Sequence, residues 1–224
     1  MPDALPKTSM LALSRVHYPV SALGPGRRIG IWFQGCDRRC AGCISADTWA
    51  FAEPSLSLED LMQALAPWLA ACDGITITGG EPLAQFDALA ALVHRLKAEN
   101  PKSILLYTGQ TYDAACPQLA ALSPSIDAAV CGPYEAGLPQ TLALRGSDNQ
   151  TLHCLTPLGE REFASYERIL QPEDKTLDVM LDDDGTAWLA GIPRRGDIHN
   201  LTRLLDARAG MNGIEKFSQR KGME

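Results

Sequence analysis

Apolar positions fall into two rhythms along the first two thirds of the chain. Short runs rich in β-branched and aromatic residues read as strands: Arg28 to Gln34, Gly74 to Thr78, Ser103 to Tyr107 and Ala128 to Cys131. Between them lie stretches of helical period. Leu58, Leu61, Met62, Leu65 and Leu69 recur on one face behind Ser57, which can cap, with Asp60 three residues on. Pro67 interrupts that pattern, so a kink or restart is expected there. Pro82 can open a second helix carrying Phe86, Leu89, Val93 and Leu96, which Asn100-Pro101 closes. The stretch from Thr111 to Leu122 reads as a third helix, weakened by Pro117. Strands separated by helix-length segments predict βα units, a parallel sheet and, through right-handed crossovers, an open partial (βα) barrel. Ligands of such sheets bind at the strands' C-terminal ends.

The pattern changes near residue 155. The runs 177–181 and 186–190 flank Asp182-Asp183-Asp184-Gly185, a hairpin signal. The acidic run has the look of a calcium loop but lacks the rest of that motif. Asp197 can cap a last helix with Ile198, Leu201, Leu204 and Leu205 inward, ended by Gly210. Residues 1–10 and 211–224 read as loose. The expected division is an α/β core over residues 1–155 and a small α+β extension over 156–224.

Composition narrows the function classes. A net charge of −7 argues against a general nucleic-acid binder, which needs a basic face to neutralise phosphates. No apolar run approaches the length of a membrane span, and no secretion signal is visible at the N-terminus, so a cytoplasmic protein is expected. Seven cysteines in that setting are expected as free thiols or metal ligands. Cys72, Cys116, Cys131 and Cys154 stand alone and read as small buried hydrophobes. His17, His94, His153 and His199 show no metal-binding spacing.

Three cysteines do not stand alone. Cys36, Cys40 and Cys43 share one loop just after the first predicted strand. Three thiolates so spaced can hold three irons of a cubane and leave the fourth without a protein ligand. A structural zinc site needs four closed ligands, so His17 or Asp37 would have to complete it. An electron-transfer ferredoxin supplies four cysteines, and no suitable fourth is evident. Arg38 and Arg39 lie inside the loop, where positive charge favours a reduced cluster or an acidic partner. Two further loops follow strand ends: Gly79-Gly80-Glu81-Pro82 and Thr108-Gly109. Glycines there admit a ligand to bare backbone, and Glu81 either pairs with an ammonium or braces the turn. Sequence order thus puts three candidate loops on one rim.

The cysteine loop and the Gly-Gly-Glu-Pro element together resemble the radical S-adenosylmethionine (SAM) superfamily. Within it the chain is most similar to the activases of glycyl-radical proteins, in particular anaerobic ribonucleotide reductase activases. The matching stretches are Gly24-Pro25-Gly26-Arg27, Ile31 to Cys36, the cysteine loop, Thr48-Trp49, Gly79 to Pro82, Tyr107-Thr108-Gly109 and Arg145-Gly146-Ser147-Asp148-Asn149-Gln150. They stand in family order over roughly residues 15–155. The resemblance implies a partial (βα) barrel of the radical SAM type. It implies a [4Fe-4S] cluster on Cys36, Cys40 and Cys43, with SAM on the open iron. Gly79, Gly80 and Glu81 would meet the SAM ammonium, Gly42, Cys43 and Ile44 the adenine side, and Cys131-Gly132-Pro133 the rest. One electron, from a donor such as flavodoxin or ferredoxin, would cleave SAM to a 5′-deoxyadenosyl radical that abstracts hydrogen from a glycyl-radical protein. The cofactor carries the hard chemistry and the protein positions it.

The chain departs from the pattern at Gly42, often aromatic in the superfamily, at Ile44-Ser45, and at Leu23, where many activases carry Asp. Residues 156–224 exceed what a minimal activase needs; they either recognise another partner or, the preferred reading, cover an open sheet edge. Two other readings stay open. The same chemistry could act on a peptide or small molecule, or the loop could be a zinc or iron–sulfur scaffold or electron carrier without catalysis.

Overall fold

The computed structural model describes residues 9–174, 176–182, 186–191, 200 and 203. In chain order the elements are strands β1 (Met10–Leu11), β2 (Leu13–Val20), β3 (Arg28–Phe33) and β4 (Leu56–Ser57), helix α1 (Leu58–Leu69), β5 (Gly74–Gly79), α2 (Phe86–Glu99), β6 (Ser103–Thr108), α3 (Tyr112–Leu122), β7 (Ala128–Cys131), β8 (Thr151–Cys154), α4 (Pro157–Phe163), β9 (Leu177–Leu181) and β10 (Ala187–Gly191). Six strands form one sheet in the order β2-β3-β5-β6-β7-β8. The middle four, β3, β5, β6 and β7, run parallel, as the alternation of strands and helices requires. The edges do not: β2 and β8 are antiparallel to their neighbours, so the sheet is mixed rather than parallel throughout. The β2–β3 link is only residues 21–27, too short for a crossover.

One face of the sheet meets the helices. Ile29, Ile31, Phe33, Ile75, Ile77, Ile104 and Leu106 alternate along the strands and pack with Leu61, Leu65, Leu89, Leu92, Val93, Leu96 and Leu119 from α1, α2 and α3. Ser57 caps α1, its hydroxyl accepting from the Asp60 amide at 3.1 Å. The expected break at Pro67 does not occur; α1 runs through it and ends two residues later, held by its buried face. Likewise α3 continues through Pro117. Pro82 opens a 3₁₀ turn, Pro82–Gln85, from which α2 starts at Phe86. Met10, expected in a loose leader, already belongs to β1, which pairs with β4.

The opposite face carries two separate apolar patches. At the β2–β3 side, Val20 and Trp32 pack with Met180 and Ala190 of the β9–β10 hairpin. At the β6–β8 side, Leu105, Ala128 and Val130 pack with Phe163 of α4. The described part of the extension, α4 and the β9–β10 hairpin, therefore lies over a sheet face rather than along an open edge, its apolar side chains covering these patches. Between the patches, at the strands' N-terminal ends, sits the buried guanidinium of Arg28. It donates to Thr76 Oγ1 (2.7 Å), Ile75 O (2.6 Å), Ser103 O (3.1 Å), Ser103 Oγ (3.3 Å) and Pro25 O (3.3 Å). Burial lowers its pKa to about 10. Gly74 makes room for it: a Cβ there would lie 2.3 Å from an Arg28 nitrogen. The Gly24-Pro25-Gly26 stretch wraps this side chain, with Gly24 at φ +131°. No helix among the described residues is long and apolar enough to cross a membrane. The expected Asp197 helix, with Ile198, Leu201, Leu204, Leu205 and Gly210, and the tail 211–224 lie outside the described residues, save that Asn200 and Arg203 are helical.

Candidate active site

The cysteine loop leaves the end of β3 and is pinned at both ends. Gly35 N donates to Thr48 O at 2.7 Å and Cys36 N to Trp49 O at 3.1 Å. Inside it, Cys43 N donates to Cys40 O at 3.1 Å. Two residues adopt left-handed backbone, Arg39 (φ +45°) and Gly42 (φ +76°). Glycine at 42 meets that backbone demand without steric cost. Cys36, Cys40 and Cys43 are free thiols, each half-buried.

Gly79-Gly80 is shaped by the loop beside it. Gly80 N donates to Phe33 O and Glu81 N to Gly35 O, both at 2.8 Å. The backbones approach so closely that a Cβ on Gly80 would lie 2.3 Å from Gly35 O, and one on Gly79, at φ +107°, 2.5 Å from Phe33 N. These glycines are required by the protein's own backbone, whatever a ligand does there.

Glu81 braces. Its buried carboxylate accepts from Leu83 N (3.1 Å), Thr108 Oγ1 (2.8 Å) and Gly109 N (2.9 Å), tying two of the predicted loops together. Arg38 of the cysteine loop adds an ion pair at 3.7 Å. Burial raises the Glu81 pKa, against the pull of these hydrogen bonds and of Arg38.

All three predicted loops open onto one cavity of about 620 Å³ at the C-terminal ends of the parallel strands. Cys36, Cys40, Gly42, Cys43, Ile44, Gly79, Gly80, Gly109 and Gly132 line it. Glu81, Cys131 and Pro133 are not among the lining residues. Cys131 is core, its thiol pushed up to about 12 by burial and by Glu81. Trp32 is buried yet contributes to the wall, while Phe33 faces the helices. The stretch Arg145 to Gln150 is a brace as well. Gln150 accepts from Gly146 N (2.7 Å) and donates to Gly132 O (2.9 Å), and Asn149 donates to Pro133 O (2.7 Å). Gln150 and Gly146 also line the cavity. Lining features that no sequence motif marked as site residues include Ala22, Trp49, Tyr134, Gln140, Leu144 and the hairpin segment 189–191. Trp49 stood in a recognised motif without a role; the others follow no local signal.

The donor chemistry suits an iron–sulfur cluster. Three soft sulfur ligands face one cavity, and iron–sulfur clusters are held by cysteine thiolates. Burial pushes the Cys43 thiol up, with Cys40 and Cys36 adding to it, so a thiolate there gains from a bound cation. A structural zinc site needs four protein ligands; the residues lining the cavity supply three thiols and no histidine or carboxylate. His17, a suggested zinc ligand, instead meets Trp32 edge-on with centroids 5.9 Å apart. His153 stacks on Tyr112, and His94 shares a hydrogen bond with Ser125. Of the lone cysteines Cys72 and Cys131 are buried, but Cys116 is exposed and Cys154 half-buried.

An α/β protein with a three-cysteine loop at the rim of a mixed sheet is thus defined. The family model described as "4Fe-4S single cluster domain" matches residues 22–153, more than half of the chain. The chain belongs to that family. The anaerobic ribonucleoside-triphosphate reductase-activating protein of Enterobacteria phage T4 is 36% identical over 134 residues, 58% of this chain and 85% of that protein. Its counterpart in Vibrio cholerae is 34% identical over 149 residues, 62% of this chain and 96% of that protein. A pyruvate formate-lyase-activating enzyme of Staphylococcus epidermidis is 38% identical over 81 residues, 34% of this chain and 32% of that enzyme.

Proposed function

We propose that this chain is a radical SAM activase that installs a glycyl radical on a partner protein, with an anaerobic ribonucleotide reductase as the first candidate. The observation that carries the reading is the common cavity of the three cysteines and the strand-end glycines. The names of the relatives at 34–36% identity supply the partner class. Cys36, Cys40 and Cys43 hold the [4Fe-4S] cluster through their thiolates. When bound and reduced, the cluster supplies the electron that splits SAM into methionine and a 5′-deoxyadenosyl radical, which takes a hydrogen atom from the target.

The chain's own residues bind and orient. The Gly80 and Glu81 amides are spent on Phe33 and Gly35 carbonyls, so this turn offers carbonyl oxygens, acceptors suited to an ammonium. Gly42 and Ile44 flank the last cysteine on the adenine side, and Gly132, held by Gln150, bounds the cavity beyond. Glu81 keeps the Gly80 and Gly109 turns in register. Ala22, Leu23, Trp32 and Leu144 give apolar walls that exclude water. We assign the sheet to the open, partial barrel of the radical SAM type, residues 1–155 to its core and 156–224 to an extension. The electron comes from a donor such as flavodoxin or ferredoxin, in the cytoplasm.

The test is anaerobic reconstitution with iron and sulfide, then incubation with SAM, a reductant and the host's anaerobic reductase. Formation of 5′-deoxyadenosine with a glycyl doublet in the partner's electron paramagnetic resonance spectrum is expected. Retained zinc, no cluster absorbance and no SAM cleavage would refute the reading in favour of a scaffold. SAM cleavage without a signal in any glycyl-radical protein of the host would move the target to a peptide or small molecule.

A further inference from the structure

The β9–β10 hairpin lies beyond residue 153, where the family match ends. The Vibrio cholerae relative is 96% accounted for by only 62% of this chain. Yet Leu189, Ala190 and Gly191 of this hairpin line the same cavity as the three cysteines. Its seating is specific. The Asp178 carboxylate accepts from the backbone amides of Ser21 and Ala22 and from the Ser21 hydroxyl, each at 2.7 Å. Ala22 and Leu23 are themselves cavity wall, so one carboxylate fastens two lining segments to each other. Gly191 lies so close to the same spot that a Cβ would stand 2.4 Å from that of Ala22.

A second contact joins the hairpin to the cysteine loop. The Arg15 guanidinium stands 4.3 Å from the Trp188 ring centroid and 5.0 Å from that of Trp32. It also reaches Asp47 at 2.5 Å. Asp47 lies in the 3₁₀ turn, Ala46–Thr48, whose Thr48 carbonyl receives the Gly35 amide at the start of the cysteine loop. One cation thus bridges hairpin, sheet and loop, at a depth where its electrostatic contacts are poorly screened.

We propose that the hairpin is a wall of the nucleoside-binding cavity added to the family core, and that Asp178 is the positioning residue that seats it. The inference rests on the proposed function for the identity of the ligand. With the wall seated, the Trp32 side of the cavity is closed and a bound sulfonium nucleoside is held away from water. Released, the wall leaves that side open and the nucleoside departs faster.

The experiment uses the full-length, cluster-loaded protein without oxygen and S-adenosyl-L-homocysteine as the probe, with binding measured by calorimetry well below each variant's melting temperature. Asp178→Ala and Trp188→Ala are each expected to weaken binding tenfold or more at unchanged iron content. Asp178→Asn, which keeps an acceptor oxygen, should recover most of the loss. Amide hydrogen exchange should show Ser21 and Ala22 losing protection in Asp178→Ala even without metal. Unchanged affinity in the alanine variants overturns the wall while leaving the proposed function standing. If Asp178→Ala does not fold, Trp188→Ala decides alone. Failure of the unaltered protein to bind the probe overturns both readings.

Discussion

Replacing Gly80 by alanine separates two reasons for a glycine at this turn. If Gly80 serves only the approach of a ligand, the metal-free protein should not notice the change. The structure says otherwise, because the added Cβ would stand 2.3 Å from Gly35 O and 2.8 Å from Gly35 C. Both are backbone atoms in a pinned segment, so neither can swing aside. Relief requires β5 and the start of the cysteine loop to part, which lengthens the Gly80–Phe33 and Glu81–Gly35 hydrogen bonds. Two such bonds contribute about 1 kcal/mol each. Forcing extra volume into a close-packed site costs about 1–3 kcal/mol more. Gly80→Ala should therefore destabilise the metal-free chain by about 3–5 kcal/mol, read as a lowered urea midpoint at unchanged slope. Gly137 is the control: nothing lies within 4 Å of a Cβ there, and Gly137→Ala should stay within about 0.5 kcal/mol of the unaltered chain. A Gly80→Ala cost below about 1 kcal/mol would refute the steric argument.

Three further outcomes follow from the same contacts. Glu81 has its pKa raised by burial, so across the window between its ordinary value of 4.5 and the raised one the folded chain holds a proton the unfolded chain has lost. Stability should fall as pH rises through that window, and Glu81→Gln should abolish this slope in urea titrations; a slope that survives the substitution would remove Glu81 as its source. Arg28→Met leaves five acceptors without this donor and should destabilise the chain by about 1–3 kcal/mol by thermal or chemical unfolding; a neutral substitution would contradict the network. In the metal-free folded protein iodoacetamide should modify exposed Cys116 but spare Cys131, buried and with its thiol pushed up to about 12; mass spectrometry of the peptides reads this directly.

The middle of the fold was legible because β3, β5, β6 and β7 are mostly buried on both faces and read as short runs rich in apolar and β-branched residues. The edge strands were not. β2 carries Arg15, His17 and Pro19 among its apolar residues, and β8 is four residues with none buried, so neither gives a strand signal above its surroundings. Helix-breaking prolines were over-read: packing of Leu61, Met62 and Leu65 outweighs one lost backbone bond at Pro67. At the site, the cysteines, Gly79-Gly80 and Thr108-Gly109 were placed together by strand order alone. Whether a glycine serves a ligand or a neighbouring backbone depends on a contact between residues 35 and 80, which no local pattern records. The hairpin's share of the wall was hidden for a similar reason, since Asp178 meets Ser21 across 157 positions of chain.

The Arg28 network lies at the opposite end of the same strands from the cysteine loop. Below, the interior is stoppered by a guanidinium with all its partners supplied from within; above, it is hollow. A ligand of the cavity is therefore reached from the strand ends that carry the three cysteines, not from the Arg28 end.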